Sequence, residues 1–178
     1  MTMTTTTPVA PQPRQGKRPL FGVRKKPGRL ALVFMRMPLR AYAHDQGHLL
    51  GHAFLEFTHV GRKSGKPYKA VAMVLRYDQT TGEAVIFAGW GPDTDWYRNL
   101  QAHPATNVKL ARASFTPTQR FLSDDEAFEV IVKFRAVHPR RVHLASRILA
   151  WDDLYDDEKA REFVHAHPFL AFRPHTAA

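Results

Sequence analysis

Two apolar runs joined by a glycine-bounded turn constrain this chain more than anything else in it. Phe54 to Leu75 reads FLEFTHVGRKSGKPYKAVAMVL: an apolar run, a turn bearing three cations, then a second apolar run. Short apolar runs bounded by Gly and Pro read as strands, here Ala53–His59 and Tyr68–Tyr77. In the second run Ala70, Ala72 and Val74 fall on one side, and Val71, Met73 and Leu75 on the other. That pattern predicts a central strand covered on both faces.

The turn, Thr58 to Pro67, carries the chemistry. Gly61 and Gly65 permit backbone angles that other residues resist, and Pro67 starts the next run with φ already fixed. Arg62, Lys63 and Ser64 lie between the glycines, with Lys66 just beyond. Cations and free amides in a tight turn can receive phosphate or carboxylate. The same residues also fit a solvated hairpin tip, and in either case Arg62 and Lys63 have no evident packing role. The spacing matches neither the GxxxxGK[ST] loop nor GxGxxG.

Charge narrows the partners. Of the net +10, residues 14–69 contribute +11 and residues 70–178 contribute −1. The excess belongs to the first part of the chain and ends at the turn, so it attracts an anion. The chain has no cysteine, which excludes disulfides and thiolate metal sites. No apolar run approaches the roughly 20 residues of a membrane span, and the N-terminal stretch lacks the apolar centre of a signal peptide. A cytoplasmic protein is expected.

The remaining segments supply an α+β frame. Residues 1–24, rich in Thr, Pro and basic residues, read as a disordered or loosely attached arm, and 25–178 as one domain. In Lys25–Ala43, Leu30, Val33, Phe34, Met37 and Ala41 make a helical stripe that Pro38 kinks or ends. Its expected role is packing on the core, with peripheral contact to an anionic membrane as the alternative. Asp78–Gly82 turns the chain, Glu83–Ala88 returns as a strand, and Gly89-Trp90-Gly91-Pro92 stops it. A short helix follows over Asp95–Ala102, capped by Asp93 or Thr94, with Trp96 and Leu100 on one face and Tyr97 and Asn99 on its flanks. Strands are expected at Thr106–Ala111 and Ser114–Leu122, with Pro117 marking an edge or bend. A capping box at Ser123–Glu126 opens a helix to Val137. Helices at Arg140–Trp151 and Asp156–His165 and a strand at Phe169–Arg173 complete a small antiparallel barrel with flanking helices.

His44, His48 and His52 are four apart, but Gly47 and Gly51 interrupt any helix that would align them as metal ligands. A turn is expected there, and a helix end at His165 and His167. No metal site is expected.

Thr58-His-Val-Gly-Arg-Lys-Ser-Gly-Lys-Pro67, then Ala88-Gly-Trp90, then Trp96-Tyr-Arg-Asn-Leu100 before His-Pro, resemble the deazaflavin-dependent nitroreductase and quinone reductase family. The resemblance covers roughly residues 30–122. It implies a split β-barrel and the coenzyme F420, an 8-hydroxy-5-deazaflavin. It also implies that Arg62, Lys63 and Ser64 hold the phosphate and oligoglutamate tail, while Ala88–Trp90 and Trp96–Asn99 frame the ring. The implied cofactor-binding set is Thr58, Val60, Gly61, Arg62, Lys63, Ser64, Pro67, Lys69, Ala88, Gly89, Trp90, Trp96, Tyr97 and Asn99, with no catalytic side chain. Hydride transfer needs none, because the cofactor carries the reaction. The chain departs from the family at Tyr68, where a basic residue often stands; Lys69 comes next and faces the opposite way. Trp90 replaces smaller polar residues, and the acceptor-lining part has no clear match after Leu122. The acceptor is therefore expected only by class: an apolar conjugated quinone, activated C=C bond or nitro compound.

Two other readings fit parts of the chain. An FMN-binding oxidoreductase of the same fold would use the phosphate site without a glutamate tail. A non-enzymatic basic module would bind an anionic membrane or nucleic acid. Nucleic acid is disfavoured because the arm has only Phe21 for stacking before residue 34.

Overall fold

The computed structural model describes Tyr42, residues 46–143 and residues 154–175. The expected arm 1–24, the helix Lys25–Ala43 apart from the helical Tyr42, His44, and the 144–151 part of the helix Arg140–Trp151 lie outside the described residues. Within them the strands are β1 (Phe54–Val60), β2 (Pro67–Met73), β3 (Arg76–Tyr77), β4 (Ala84–Phe87), β5 (Asn107–Leu110), β6 (Ala113–Phe115), β7 (Pro117–Phe121) and β8 (Phe169–Pro174). The helices are α1 (Asp95–Ala102), α2 (Asp124–Val137) and α3 (Asp157–Ala166). Gly47–Leu50 forms a 3-10 turn, where the interrupted histidine spacing had indicated one.

Two four-stranded antiparallel sheets result, ordered β2-β1-β5-β6 and β3-β4-β8-β7. The first buries one face. Leu55 and Phe57 of β1 stand beside Ala72 and Ala70 of β2 and Leu110 and Val108 of β5, and pack against Ala84, Ile86, Leu170 and Phe172 of the second sheet. The second sheet buries both faces: Val85, Phe87, Phe169 and Ala171 point away from the first sheet into a core shared with α2 and α3. Every residue of β4 is buried, as are the first four of β8. The structure is thus α+β, a split barrel whose outer side carries helices.

The sheets are joined at both margins, and this corrects two expected strands. Tyr68–Tyr77 is not one covered strand; β2 is an edge strand, exposed from Pro67 to Lys69 and half-buried from Ala70 to Met73. Its two-sided apolar pattern records a crossing. The Val74 amide donates to Ala53 O at 2.9 Å, beside the first sheet, and the next amide, of Leu75, donates to Val85 O at 2.9 Å in the second. Val74 enters the core between the sheets and Leu75 the core under the helices. Ser114–Leu122 divides in the same way. Phe115 pairs with Val108 and Pro117 with Pro174, so Pro117, which has no N–H to give, stands on an edge strand at the bend.

The capping signals of α2 and α3 read from sequence are present, whereas Thr94 stands at the N-cap of α1 without a side-chain cap bond, its Oγ1 donating instead to Gly91 O at 2.8 Å. Ser123 and Glu126 make the reciprocal capping box, with Glu126 N donating to Ser123 Oγ at 3.2 Å and Ser123 N to Glu126 Oε2 at 3.1 Å. Asp156 caps α3 through Lys159 N at 3.0 Å, and His167 closes it, its amide donating to Phe163 O. Residues 139–143 are helical. No helix among the described residues is long and apolar enough to cross a membrane.

Leu170, at the centre of the second sheet, is fully buried, whereas Leu49 is 73% exposed. Leu170→Ala should lower unfolding free energy by about 3 kcal/mol, and Leu49→Ala by no more than about 0.5 kcal/mol. Urea denaturation of both variants measures the difference.

Candidate functional site

The β1–β2 turn closes on itself before it meets anything else. Gly61 N donates to Lys66 O at 2.9 Å, and Gly65 N to Gly61 O at 2.8 Å. Gly65 sits at φ +66°, a conformation side-chain-bearing residues resist. A Cβ at Gly61 would stand 2.5 Å from Ser64 Oγ and 2.8 Å from Tyr68 Cε2, so both of these exposed side chains would have to turn aside.

Arg62 then fastens the turn to α1, which corrects the expectation that it has no packing role. Its backbone N–H donates to Asn99 Oδ1 at 3.0 Å, and its Nη1 donates to the same oxygen at 2.9 Å. Nη1 and Nη2 each donate to Asp95 Oδ1 at 3.0 Å. Asp95 and Asn99 are one helical turn apart, so both oxygens face the same guanidinium. The tip is a latched loop, not a free hairpin end. Lys63, Ser64 and Lys66 remain exposed, and neither lysine makes an ion pair among the described residues.

Behind the latch lies a buried polar pair. Asn99 is 5% exposed and His59 6%, and Asn99 Nδ2 is 3.1 Å from His59 Nδ1. The His59 ring lies near-parallel to Tyr68, with centroids 5.8 Å apart and planes at 26°. Burial lowers its pKa from the ordinary 6.5, and the Asp95 carboxylate partly opposes that shift. Tyr68 in turn shares a hydrogen bond with Ser64 Oγ at 3.2 Å.

These elements enclose an open cleft of about 810 Å³. β1 and β2 contribute His59, Tyr68 and Ala70, the turn Gly61–Ser64, and α1 with its cap Thr94, Asp95, Trp96 and Asn99. Of the residues named from sequence, Gly61, Arg62, Lys63, Ser64, Lys69, Trp96 and Asn99 come together here. Lys69 stands at the rim; its Nζ meets Glu56 Oε1 at 3.3 Å on the face away from His59 and Tyr68. Thr58, Val60 and Pro67 flank the turn without lining the cleft. Ala88 is buried in the inter-sheet core and Trp90 is 44% exposed; neither they nor Gly89 line it. Tyr97 is buried, edge-on to Phe121 at 5.6 Å. Tyr97 and Asn99 are thus more buried than the flanking positions expected of them, while Trp96 is half-buried and edge-on to Phe57 at 5.2 Å.

Sequence reading missed His59, Tyr68, Ala70, Thr94 and Asp95. The first three were within reach. Once Val60 opposes Pro67, strand alternation sets His59 opposite Tyr68 on the inward face with Phe57 and Ala70. Among the described residues no group of three or more His, Asp or Glu could hold a metal.

Residues 34–148, more than half of the chain, match the family model of the F420H(2)-dependent quinone reductase. None of the curated proteins is a significant match. Among solved structures, an F420-H2-dependent reductase is 20% identical with TM-score 0.45, the match covering 69% of this chain and 96% of that one. The heme storage protein HutZ from Vibrio cholerae is 13% identical with TM-score 0.44, covering 76% and 90%. A pyridoxamine 5'-phosphate oxidase-related, FMN-binding protein from Nostoc punctiforme is 12% identical with TM-score 0.39, covering 86% and 83%. At these values the structural likenesses carry no argument about chemistry.

Two outcomes follow from the latch. Arg62→Ala should lower stability by about 1 kcal/mol, because it removes the side-chain hydrogen bond to the buried Asn99 oxygen, leaving only the backbone N–H donor, and loses the ion pair with exposed Asp95. Lys63→Ala should change it by less than about 0.5 kcal/mol. Thermal melts of the apo-protein compare them. His59 sets the second. Its folded pKa is depressed, so the unfolded chain takes up a proton first as pH falls. The associated stability is present above 6.5 and declines as pH drops from there toward the lowered value. His59→Gln should flatten that slope in urea unfolding between these pH values. Among the described residues His138, lowered by burial and by Arg141, contributes with the same sign.

Proposed function

Because the chain belongs to the F420H(2)-dependent quinone reductase family, we propose that the cleft between the β1–β2 turn and α1 is its deazaflavin site and that a quinone or similar conjugated acceptor is reduced there. The chain is an oxidoreductase and its cofactor is F420. The observation that carries the placement is a division of labour within one turn. Arg62 is engaged with Asp95 and Asn99, while Lys63 and Lys66 stand exposed without ion pairs among the described residues. One cation shapes the loop and two stay available to a polyanion.

The residues present fit such a group. A cleft of about 810 Å³ has the size of a site for a drug-sized ring and its phosphate, and Lys63 in its lining with exposed Lys66 beside it would hold a glutamate tail. When bound, the reduced deazaflavin supplies the hydride. The protein binds and orients. Lys63, Lys66 and Ser64 Oγ would receive anionic oxygens, and Trp96 and Tyr68 would offer aromatic surface to a flat ring. Thr58, Val60 and Pro67 hold the turn between its strands, Tyr97 backs Trp96, and Ala88–Trp90 follow β4. Their contact with the cofactor, and that of Lys69, forms part of the same proposal. The quinone is the acceptor class favoured, since the family is defined by it; nitro compounds and activated C=C bonds are the alternatives. The described residues 46–143 and 154–175 pack around two adjoining cores, which supports a single domain; its extent over 25–178, with 1–24 as an arm, is part of the same proposal.

The test is a titration of apo-protein with F420, followed by tryptophan emission, with FMN in parallel. F420 should quench Trp96 emission and bind more tightly than FMN. Lys63→Ala should weaken long-tailed F420 by about tenfold while leaving a tail-less deazaflavin little affected. The loss should shrink as salt rises, because salt screens exposed charges. Binding of neither cofactor would remove the placement.

A further inference from the structure

His59 is absent from the cofactor-binding set that the sequence implied, yet the hydrogen bonds around it leave it little freedom. Asn99 Oδ1 accepts from both Arg62 N and Arg62 Nη1, so the amide oxygen faces Arg62 and the NH2 group faces His59. At 3.1 Å that NH2 is a donor, and His59 Nδ1 must accept. The network therefore assigns the neutral ring's proton to Nε2. No partner for Nε2 occurs among the described residues, and the one described buried polar atom lacking a partner is Arg76 Nε. His59 Nε2 thus keeps its small exposure, and His59 is a wall of the cleft. Tyr68, near-parallel at 5.8 Å, and Phe57, tilted at 6.0 Å, hold the ring.

We propose that His59 donates its Nε2–H to a carbonyl oxygen of a ring bound in the cleft, and that Asn99 and Arg62 are positioning residues that fix its tautomer. This rests on the F420 reading of the cleft. The shared chemistry is a conjugated carbonyl, carried either by the deazaflavin ring or by the quinone. In quinone reduction a hydride with its electron pair and one proton convert the quinone to the hydroquinone, and negative charge builds on a carbonyl oxygen as the hydride arrives. A neutral, fixed donor stabilises that charge without reorganising. His59 donates a hydrogen bond and transfers no proton; water supplies the proton. The surrounding charges suit a neutral ring. Arg62 from the turn and Asp95 from α1 pair with each other, Tyr68 is the facing group from β2, and Lys69 and Glu56 pair on the opposite face.

Long-range 1H–15N spectra of the labelled apo-protein should show His59 protonated at Nε2; a proton on Nδ1 overturns the proposal whether or not F420 binds. Two variants then separate donor from filler. His59→Phe keeps a ring against Tyr68 and loses the donor, whereas the His59→Gln amide reaches the Nε2 position. If the carbonyl belongs to the cofactor, the F420 Kd should rise about fivefold or more in His59→Phe and stay within about twofold in His59→Gln. If it belongs to the acceptor, both variants should keep the F420 Kd, and kcat with menadione should fall about tenfold or more in His59→Phe alone. An unimpaired His59→Phe, or a His59→Gln impaired as badly, overturns the proposal. Failure of the wild-type protein to bind F420 is read separately in its own titration and removes the underlying site as well.

Discussion

At both margins of the first sheet the chain runs directly into an edge strand of the second, and the remaining architecture depends on that continuity. Successive amides at Val74 and Leu75 bond to different sheets, and across Thr116 on the other side Phe115 pairs within the first sheet and Pro117 within the second. The inward side chains of both sheets share one core there, in which small Ala70, Ala72, Ala84 and Ala88 pack with large Phe57, Ile86 and Phe172. The second sheet must then be covered on its far side, and α2 and α3 supply the cover. With both faces dry, β4 and the first four residues of β8 carry no polar side chain, and Arg173 follows only where β8 becomes exposed.

The site occupies a corner where this packing stops. β1 and β2 extend past the inter-sheet core, so their last inward pair is His59 and Tyr68 instead of two aliphatic residues. The Asn99 amide supplies what the core no longer does. It accepts two hydrogen bonds from Arg62 and gives one to His59, joining turn, helix and strand through one buried group. Satisfied polar groups of this kind specify a unique arrangement, and partly satisfied ones are costly. Recruiting Arg62 into that node leaves the loop's field at the mouth to Lys63 and Lys66.

Local features of the fold were legible because their causes are local. The capping box at Ser123, the helix Asp95–Ala102 and the stop at Gly89–Pro92 each depend on residues within one turn of chain. Tyr68–Tyr77 and Ser114–Leu122 misled because alternation marks which residues are apolar, not which sheet each one enters. Within the candidate site, the glycines and lysines of the turn carried their own signal. Arg62 did not: its acceptors lie 33 and 37 residues away, and no local pattern reports a partner at that distance. His59 was obscured for a related reason, since its tautomer is set by Asn99, which is set in turn by Arg62.

β8 lies between β4 and β7 but beyond residues 34–148 of the family match. Its position has a consequence for how the chain reaches its native state. The β1–β2 and β3–β4 hairpins can close locally, whereas β4 finds its second neighbour only at Phe169–Phe172, a contact of high sequence separation whose loop-closure entropy slows pairing. During synthesis apolar β4 and the more polar β7 emerge first, each with an open edge and no strand to fill the gap between them. Such edges invite pairing with other chains. The interval before β8 leaves the ribosome is therefore when this protein is most exposed to aggregation, and when a chaperone would have the most surface to hold.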